Sequence, residues 1–233
     1  MNESHRKPLP GWLPFAIGAL FVLLFSALGG WQVNRGLEKR ADQAAFEAET
    51  GFAAWQDGME IRPYQRIKAT GRYDGDRQFL LENITRNGRP GYYLLTPLVA
   101  LEGEPVLLVN RGWLADPGTA DLSVPDARIT VRGRAGHLPR AAFRMGDAVA
   151  ASASWPRRAV FPTTGDVAAA LGQDVQDFVL LMDAEEAGGF VREWSPAGFG
   201  PGKHFGYALQ WFAMAVVLSG LLIWNYRKKR FDA

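Results

Sequence analysis

The residues best suited to do chemistry gather where an apolar run begins, in Lys203-His204-Phe205-Gly206-Tyr207-Ala208-Leu209-Gln210-Trp211-Phe212. From Phe205 to Tyr226 the chain carries no formal charge, and it then meets Arg227-Lys228-Lys229-Arg230. At helical spacing His204, Tyr207 or Ala208, Trp211 and Met214 share one stripe, so a titratable imidazole heads an aromatic face. A neutral imidazole is a common donor to metal ions and to haem iron. At the end of an apolar helix it can also serve a plainer purpose, hydrogen bonding to water or lipid headgroups. A second set, Trp31-Gln32 with Arg35, closes the other long apolar segment. The Gln32 amide needs a partner, either across a helix interface or at a ligand, and Gln210 is one candidate. Arg35 can pair with headgroups or hold a carboxylate bidentately. Trp31, Trp211 and Trp224 also fit an interfacial aromatic belt.

These side chains sit on segments whose length is itself informative, because about 20 apolar residues cross the hydrocarbon core of a bilayer as a helix. Two transmembrane helices are expected, at 12–33 and 204–226, leaving tails at 1–11 and 227–233 and a domain over 34–203. A cleaved signal peptide is the alternative for the first, since Arg6 and Lys7 form a basic start and Ala27-Leu28-Gly29 a small-residue site. Its apolar run exceeds the roughly 7–15 residues typical of a signal, so retention is expected. Past the first span, Leu37, Ala41, Ala44, Ala45, Phe46 and Ala48 recur near a helical period. That pattern predicts a helix that continues beyond the membrane and rests its apolar stripe on the domain.

Charge and cysteine content remove several function classes. The formal charge is +2, yet between Arg35 and Lys203 there are 20 Lys and Arg against 22 Asp and Glu, and the excess lies in the tails. Basic tails beside apolar spans suit membrane insertion and exclude nucleic acid as the partner. With no cysteine, the chain has no disulfide, thiolate metal site or dithiol redox chemistry, and only His5, His137 and His204 offer imidazoles. The C-terminal basic tetrad places both ends in the cytoplasm and the domain outside it. The N-terminus lacks an Arg- and Ser-rich transit peptide, so a bacterial inner membrane is expected rather than a mitochondrial one.

From Tyr64 to about Leu138, short apolar runs alternate with Gly, Pro, Asn and Asp. Strands are predicted over 65–73, 77–84, 92–101, 106–114, 128–134 and 175–182, with a short helix at 165–172. In the strand at 128–134, Ile129 and Val131 face one side and Arg128, Thr130 and Arg132 the other, the alternation of a half-buried antiparallel strand. The fold class is therefore a membrane protein with a β-rich antiparallel extracytoplasmic domain between two helices. Asn110-Arg111-Gly112 reads as a strand end and turn, with Arg111 and Trp113 as candidates for partner docking. His137 near acidic and Ser residues can be drawn as a hydrolase site, although no nucleophile elbow accompanies it.

In order along the chain, Gly30-Trp31-Gln32 with Arg35, Gly71-Arg72-Tyr73, Gly91-Tyr92 with Thr96-Pro97, Val109-Asn110-Arg111-Gly112-Trp113, and His204 with Tyr207-Ala208 and Trp211-Phe212 resemble the Surfeit locus protein 1 family. Members of that family are membrane-anchored assembly factors of haem-copper cytochrome c oxidase. The resemblance implies two spans around an extracytoplasmic domain and a non-enzymatic role in supplying haem a to the catalytic oxidase subunit. It makes haem A synthase a candidate donor and His204 the axial ligand to the haem iron, as in the bacterial branch. One departure is local: family members often carry Asn before that histidine, where this chain has Lys203. A holder of haem a needs an axial nitrogen, aromatic walls, a cation for the carboxylate edge and contact with lipid. His204, then Tyr207, Trp211 or Trp31, then Arg35 or Lys203, and the two spans supply these in turn, with Gln32 nearby. A membrane-tethered scaffold that steadies an oxidase intermediate without holding haem is the alternative function.

Overall fold

A computed structural model describes residues 10, 12–48, 51–100, 103–139, 148–152, 154–196 and 198–231. In chain order the elements are α1 (Leu13–Ala48), β1 (Ala53–Ala54), β2 (Arg66–Tyr73), β3 (Phe79–Arg86), β4 (Arg89–Val99), β5 (Val106–Leu114), β6 (Arg128–Gly136), β7 (Arg157–Ala159), α2 (Thr164–Leu171), β8 (Val175–Met182) and α3 (Pro201–Phe231). They form two compact units, one of residues 1–44 with 196–233, the other of residues 45–195.

The helical unit is built from two helices long and apolar enough to cross a bilayer. At 36 residues and a rise of about 1.5 Å per residue, α1 is roughly 54 Å long, well beyond the roughly 30 Å of hydrocarbon it would traverse. Only 11% of the most apolar window of either helix is buried. The core helix of a soluble protein would be covered by its own chain; these surfaces need lipid or another apolar cover. The helices run antiparallel, with Phe15 edge-on to Tyr226 at one end and Gln32 beside His204 toward the other. α3 starts at Pro201, three residues before the expected start of the second span at 204. Proline suits a first helical position, where its missing N–H has no partner to lose.

The second unit is one eight-stranded sheet in the order β1-β2-β6-β8-β5-β4-β3-β7, and β2 also pairs with β4. That extra pairing, Arg72 with Val99 and Tyr73 with Leu98, closes β2, β6, β8, β5 and β4 into a ring. Antiparallel pairing joins β2 to β6, β3 to β4, β4 to β5 and β6 to β8. The expectation of an antiparallel sheet holds only in part, because β5 with β8, β1 with β2 and β3 with β7 are parallel. Every residue of β5 is buried, as befits a strand covered on both faces. Its alternate side chains divide between two cores: Leu107 and Val109 join Ile67, Leu98, Val131, Phe178 and Leu180, whereas Leu108 joins Phe79, Leu95 and Val179. The second core is roofed by Val167 and Leu171 of α2. Thr163 and Asp166 form a reciprocal capping box at the start of that helix, which satisfies two otherwise orphaned N–H groups.

Of the predicted apolar stripe on the continuation of α1, only Phe46 is partly covered, meeting the Tyr64 ring edge-on at 5.5 Å. Leu37, Ala41, Ala44, Ala45 and Ala48 are exposed. Small alanines give a weak period, and the polar Arg40, Gln43 and Glu47 recur at helical spacing around the same turns.

Candidate functional site

His204 lies in the first turn of α3, partly buried, and its Nδ1 is 2.9 Å from Oε1 of Gln32 on α1. An amide oxygen can only accept, so Nδ1 donates; Nε2 makes no hydrogen bond among the described residues. The pair is held by close helix packing on either side. A β-carbon at Gly29 would lie 2.8 Å from the Phe212 ring, and one at Gly36 would lie 2.7 Å from the Phe205 ring. No ordinary side chain fits at those distances, so both positions need glycine to let the aromatic rings reach the facing backbone. Gly29, Gln32 and Gly36 follow spacings of three and four residues and therefore share one face of α1.

The remaining predicted site residues separate. Trp211 is partly buried, its ring 5.7 Å from that of Phe25 on α1. Trp31 and Tyr207, at 58% and 48% exposure, face away from the helix seam. The α3 face turned to α1 instead carries His204, Phe205, Ala208, Trp211 and Phe212 with the buried Ala215, and Met214 is exposed. Arg35 follows Gln32 by one turn and pairs with Glu38 at 2.7 Å while 48% exposed. Lys203 places its ammonium 4.2 Å from the centre of the Phe199 ring. Gln210 is exposed and is not the partner of Gln32. Six residues past His204, it points from another side of α3, whereas His204 stands level with Gln32.

In the sheet unit, Asn110-Arg111-Gly112 is not a strand end. It is a bulge inside β5, where pairing with β4 slips between Tyr93 and Leu95. Gly112 takes φ +110° there, and its N–H is accepted by the Asn110 side chain. The bulge turns Arg111 inward, only 2% exposed. Its guanidinium donates to the carbonyls of Gly188, Leu122 and Ser123 and to Oε1 of Gln78. Burial pushes the Arg111 pKa down, partly opposed by Tyr73 and Asp121. Trp113, 8% exposed, donates its indole N–H to the Ile84 carbonyl. Neither side chain is available for docking: Arg111 ties the strap at 121–123 and the turn at Gly188 onto the sheet, and Trp113 ties β5 to the Ile84 carbonyl of β3. Nothing in the local sequence distinguished these from exposed Arg and Trp, because the bulge depends on pairing with β4.

His137 is exposed at the end of β6. An open cleft of about 770 Å³ lies elsewhere, bordered by Arg72, Asp74, Asp76, Val124, Asp126 and Arg128. Arg72 and Asp126 pair across it at 3.0 Å, both well exposed. His137 is not among the residues that border it.

The profile of the SURF1 family matches residues 19–216, which include the sheet unit, most of α1 and about half of α3. Among similar proteins, a SURF1-like protein of Rickettsia conorii is 33% identical over 109 residues, covering 44% of this chain and 43% of its own. An uncharacterized SURF1-like protein of Mycobacterium tuberculosis is 25% identical over 233 residues, covering 89% of this chain and 80% of its own. The cytochrome oxidase assembly protein SHY1 of Saccharomyces cerevisiae is 25% identical over 136 residues, covering 54% of this chain and 34% of its own. The match thus spans under half the length of the Rickettsia relative and about a third of the yeast one. Because the profile runs through the Gln32 turn of α1, the Arg111 bulge and the His204 turn of α3 in a single stretch, this chain belongs to the SURF1 family.

Proposed function

We propose that the chain is a cytochrome c oxidase assembly factor that binds haem a, with His204 as the residue that would hold the iron. The observation that carries this reading is the His204 ring, oriented by Gln32 through Nδ1 and left with Nε2 unengaged. The donor set fits the cargo. Imidazole is an established axial ligand, and the half-buried Trp211, two turns along the same face of α3, offers aromatic surface. Arg35 supplies the cation for the carboxylate edge. Its present bond to Glu38 is an exposed i,i+3 pair, worth about 0.2–0.5 kcal/mol, so exchanging it for a haem carboxylate costs little. The name of the yeast relative supports the assembly role. In this reading the chain binds and hands over rather than catalyses, haem A synthase is the donor and the catalytic oxidase subunit the acceptor.

The two helices span a bacterial inner membrane, with both termini cytoplasmic and the sheet unit outside. The basic tetrad Arg227-Lys228-Lys229-Arg230 supports this orientation through its retention on the cytoplasmic side. The deciding experiment is an absorption spectrum of the protein purified in detergent after coexpression with haem A synthesis. Haem a bands are expected from the parent chain and lost from His204→Ala. A colourless parent protein that still supports oxidase assembly would instead favour a scaffold that never holds haem.

A further inference from the structure

We propose that Gln32 is a positioning residue that fixes the proton of His204 on Nδ1 before any ligand arrives, so that Nε2 is presented as the donor atom. The inference rests on the reading of His204 as an axial ligand, but it concerns a state of the haem-free protein. A neutral histidine side chain in water prefers its proton on Nε2, and in that form Nε2 has no lone pair to give. If the competent tautomer is a minor fraction, apparent affinity falls by that same fraction. Here the Gln32 oxygen accepts from Nδ1 at 2.9 Å, which inverts the solution preference. An acceptor hydrogen-bonded to Nδ1 also makes Nε2 the more basic donor.

Two features show that this contact is built into the helix seam. Gln32 lies between Gly29 and Gly36, whose missing β-carbons admit Phe212 and Phe205 to the α1 backbone. Phe205 is the immediate neighbour of His204, and Ala208, one turn on, is 3% exposed. The imidazole is thus brought to the amide by packing above and below it. In an apolar setting an unpartnered amide or imidazole N–H is costly, which keeps the two together. Arg35 and Lys203, the nearest cations in sequence, are engaged with Glu38 and the Phe199 ring.

The test is nitrogen NMR of the full-length, haem-free chain labelled with ¹⁵N-histidine in lipid nanodiscs, at about 1.5 pH units above the ordinary imidazole pKa. Only three histidines contribute signals, and His204→Ala identifies the relevant pair. The expected spectrum has Nδ1 protonated and Nε2 pyridine-like for His204. Gln32→Leu should move the population to the Nε2-protonated form, and Gln32→Glu, which keeps an acceptor, should not. Gln32→Met preserves length and packing without an acceptor and should behave as Gln32→Leu. In chains purified with haem a, Gln32→Leu and Gln32→Met should weaken haem retention about 10- to 100-fold, and Gln32→Glu should restore it. A parent chain with Nε2 protonated, or a tautomer unchanged in Gln32→Leu and Gln32→Met, overturns the proposal. Full haem a retention in His204→Ala alongside the expected tautomer pattern would support the role of Gln32 and overturn the axial reading alone.

Discussion

Arg111 and His204 are both nitrogen bases withdrawn from water, yet their surroundings assign them opposite tasks. Every N–H of Arg111 is absorbed by backbone carbonyls and Gln78, so nothing is left over for a ligand. Arg111→Ala should therefore leave several acceptors unpaired and destabilise the sheet unit by about 3 kcal/mol or more, visible as a lowered thermal unfolding midpoint. Arg111→Lys should recover little of that loss, since an ammonium cannot reproduce the fork. Tyr73 offers the reverse case. Its hydroxyl is buried without a hydrogen-bond partner among the described residues, and burial drives its pKa upward. Tyr73→Phe should be neutral or stabilising by up to about 1 kcal/mol; a clear loss of stability would mean the hydroxyl has a bonded partner. At Asp183, burial alone would raise the carboxyl, but the Arg66 guanidinium and the N–H groups of Glu185 and Ala184 hold it below the ordinary carboxylate range. A depressed native pKa contributes stability above the unfolded value of about 3.9, lost as pH falls through the native one. Acid titration of unfolding should accordingly show less stability lost below about pH 4 in Asp183→Asn than in the parent chain.

Among the elements, the helix seam is where sequence change should be felt most sharply. Gly29→Ala places a methyl group 2.8 Å from the Phe212 ring, too close for both to stay. The helices must shift, and the 2.9 Å contact between His204 and Gln32 should lengthen with them. Gly29→Ala is expected to reduce haem a retention several-fold, and Gly29→Ala with Phe212→Leu to recover it, because the smaller side chain returns the lost space. Retention that is unchanged in the single variant would separate the seam from the site. In the sheet, β5 shows why strand direction was misjudged. Its continuous run Val106-Leu107-Leu108-Val109 is the pattern of a strand covered on both faces and often paired in parallel, whereas the clean alternation of Ile129 and Val131 in β6 correctly indicated antiparallel pairing.

For the whole molecule, the orientation in the membrane is open to direct measurement. Alkaline phosphatase fused after Gly118 should be active and fused after Ala233 inactive, and the reversed result would overturn the orientation drawn from the basic tetrad. Mass spectrometry of the mature protein should find peptides preceding Ala27, since Gln32 needs α1 to stay beside α3. A mature N-terminus near Gly30 would remove most of the seam, including Gly18, whose absent β-carbon admits Leu222. With that support gone, the packing that brings His204 to Gln32 should fail.

What the sequence alone determined is what depends on local pattern. Uncharged runs of sufficient length marked α1 and α3, alternation and turn residues marked β2 to β6 and β8, and a short helix was expected at 165–172, where α2 lies. It also singled out His204 and Gln32 as polar groups that need partners inside apolar helices. Tertiary structure alone decided who those partners are. Gln32 meets His204 rather than Gln210 because antiparallel packing sets which turns stand level, and no local signal carries the offset between two helices separated by a whole domain. The bulge that buries Arg111, the closure of β2 on β4 and the parallel pairing of β5 with β8 are likewise products of strand register. Register depends on residues far apart in the chain, so side chains that look free in the sequence were placed only when the sheet closed around them.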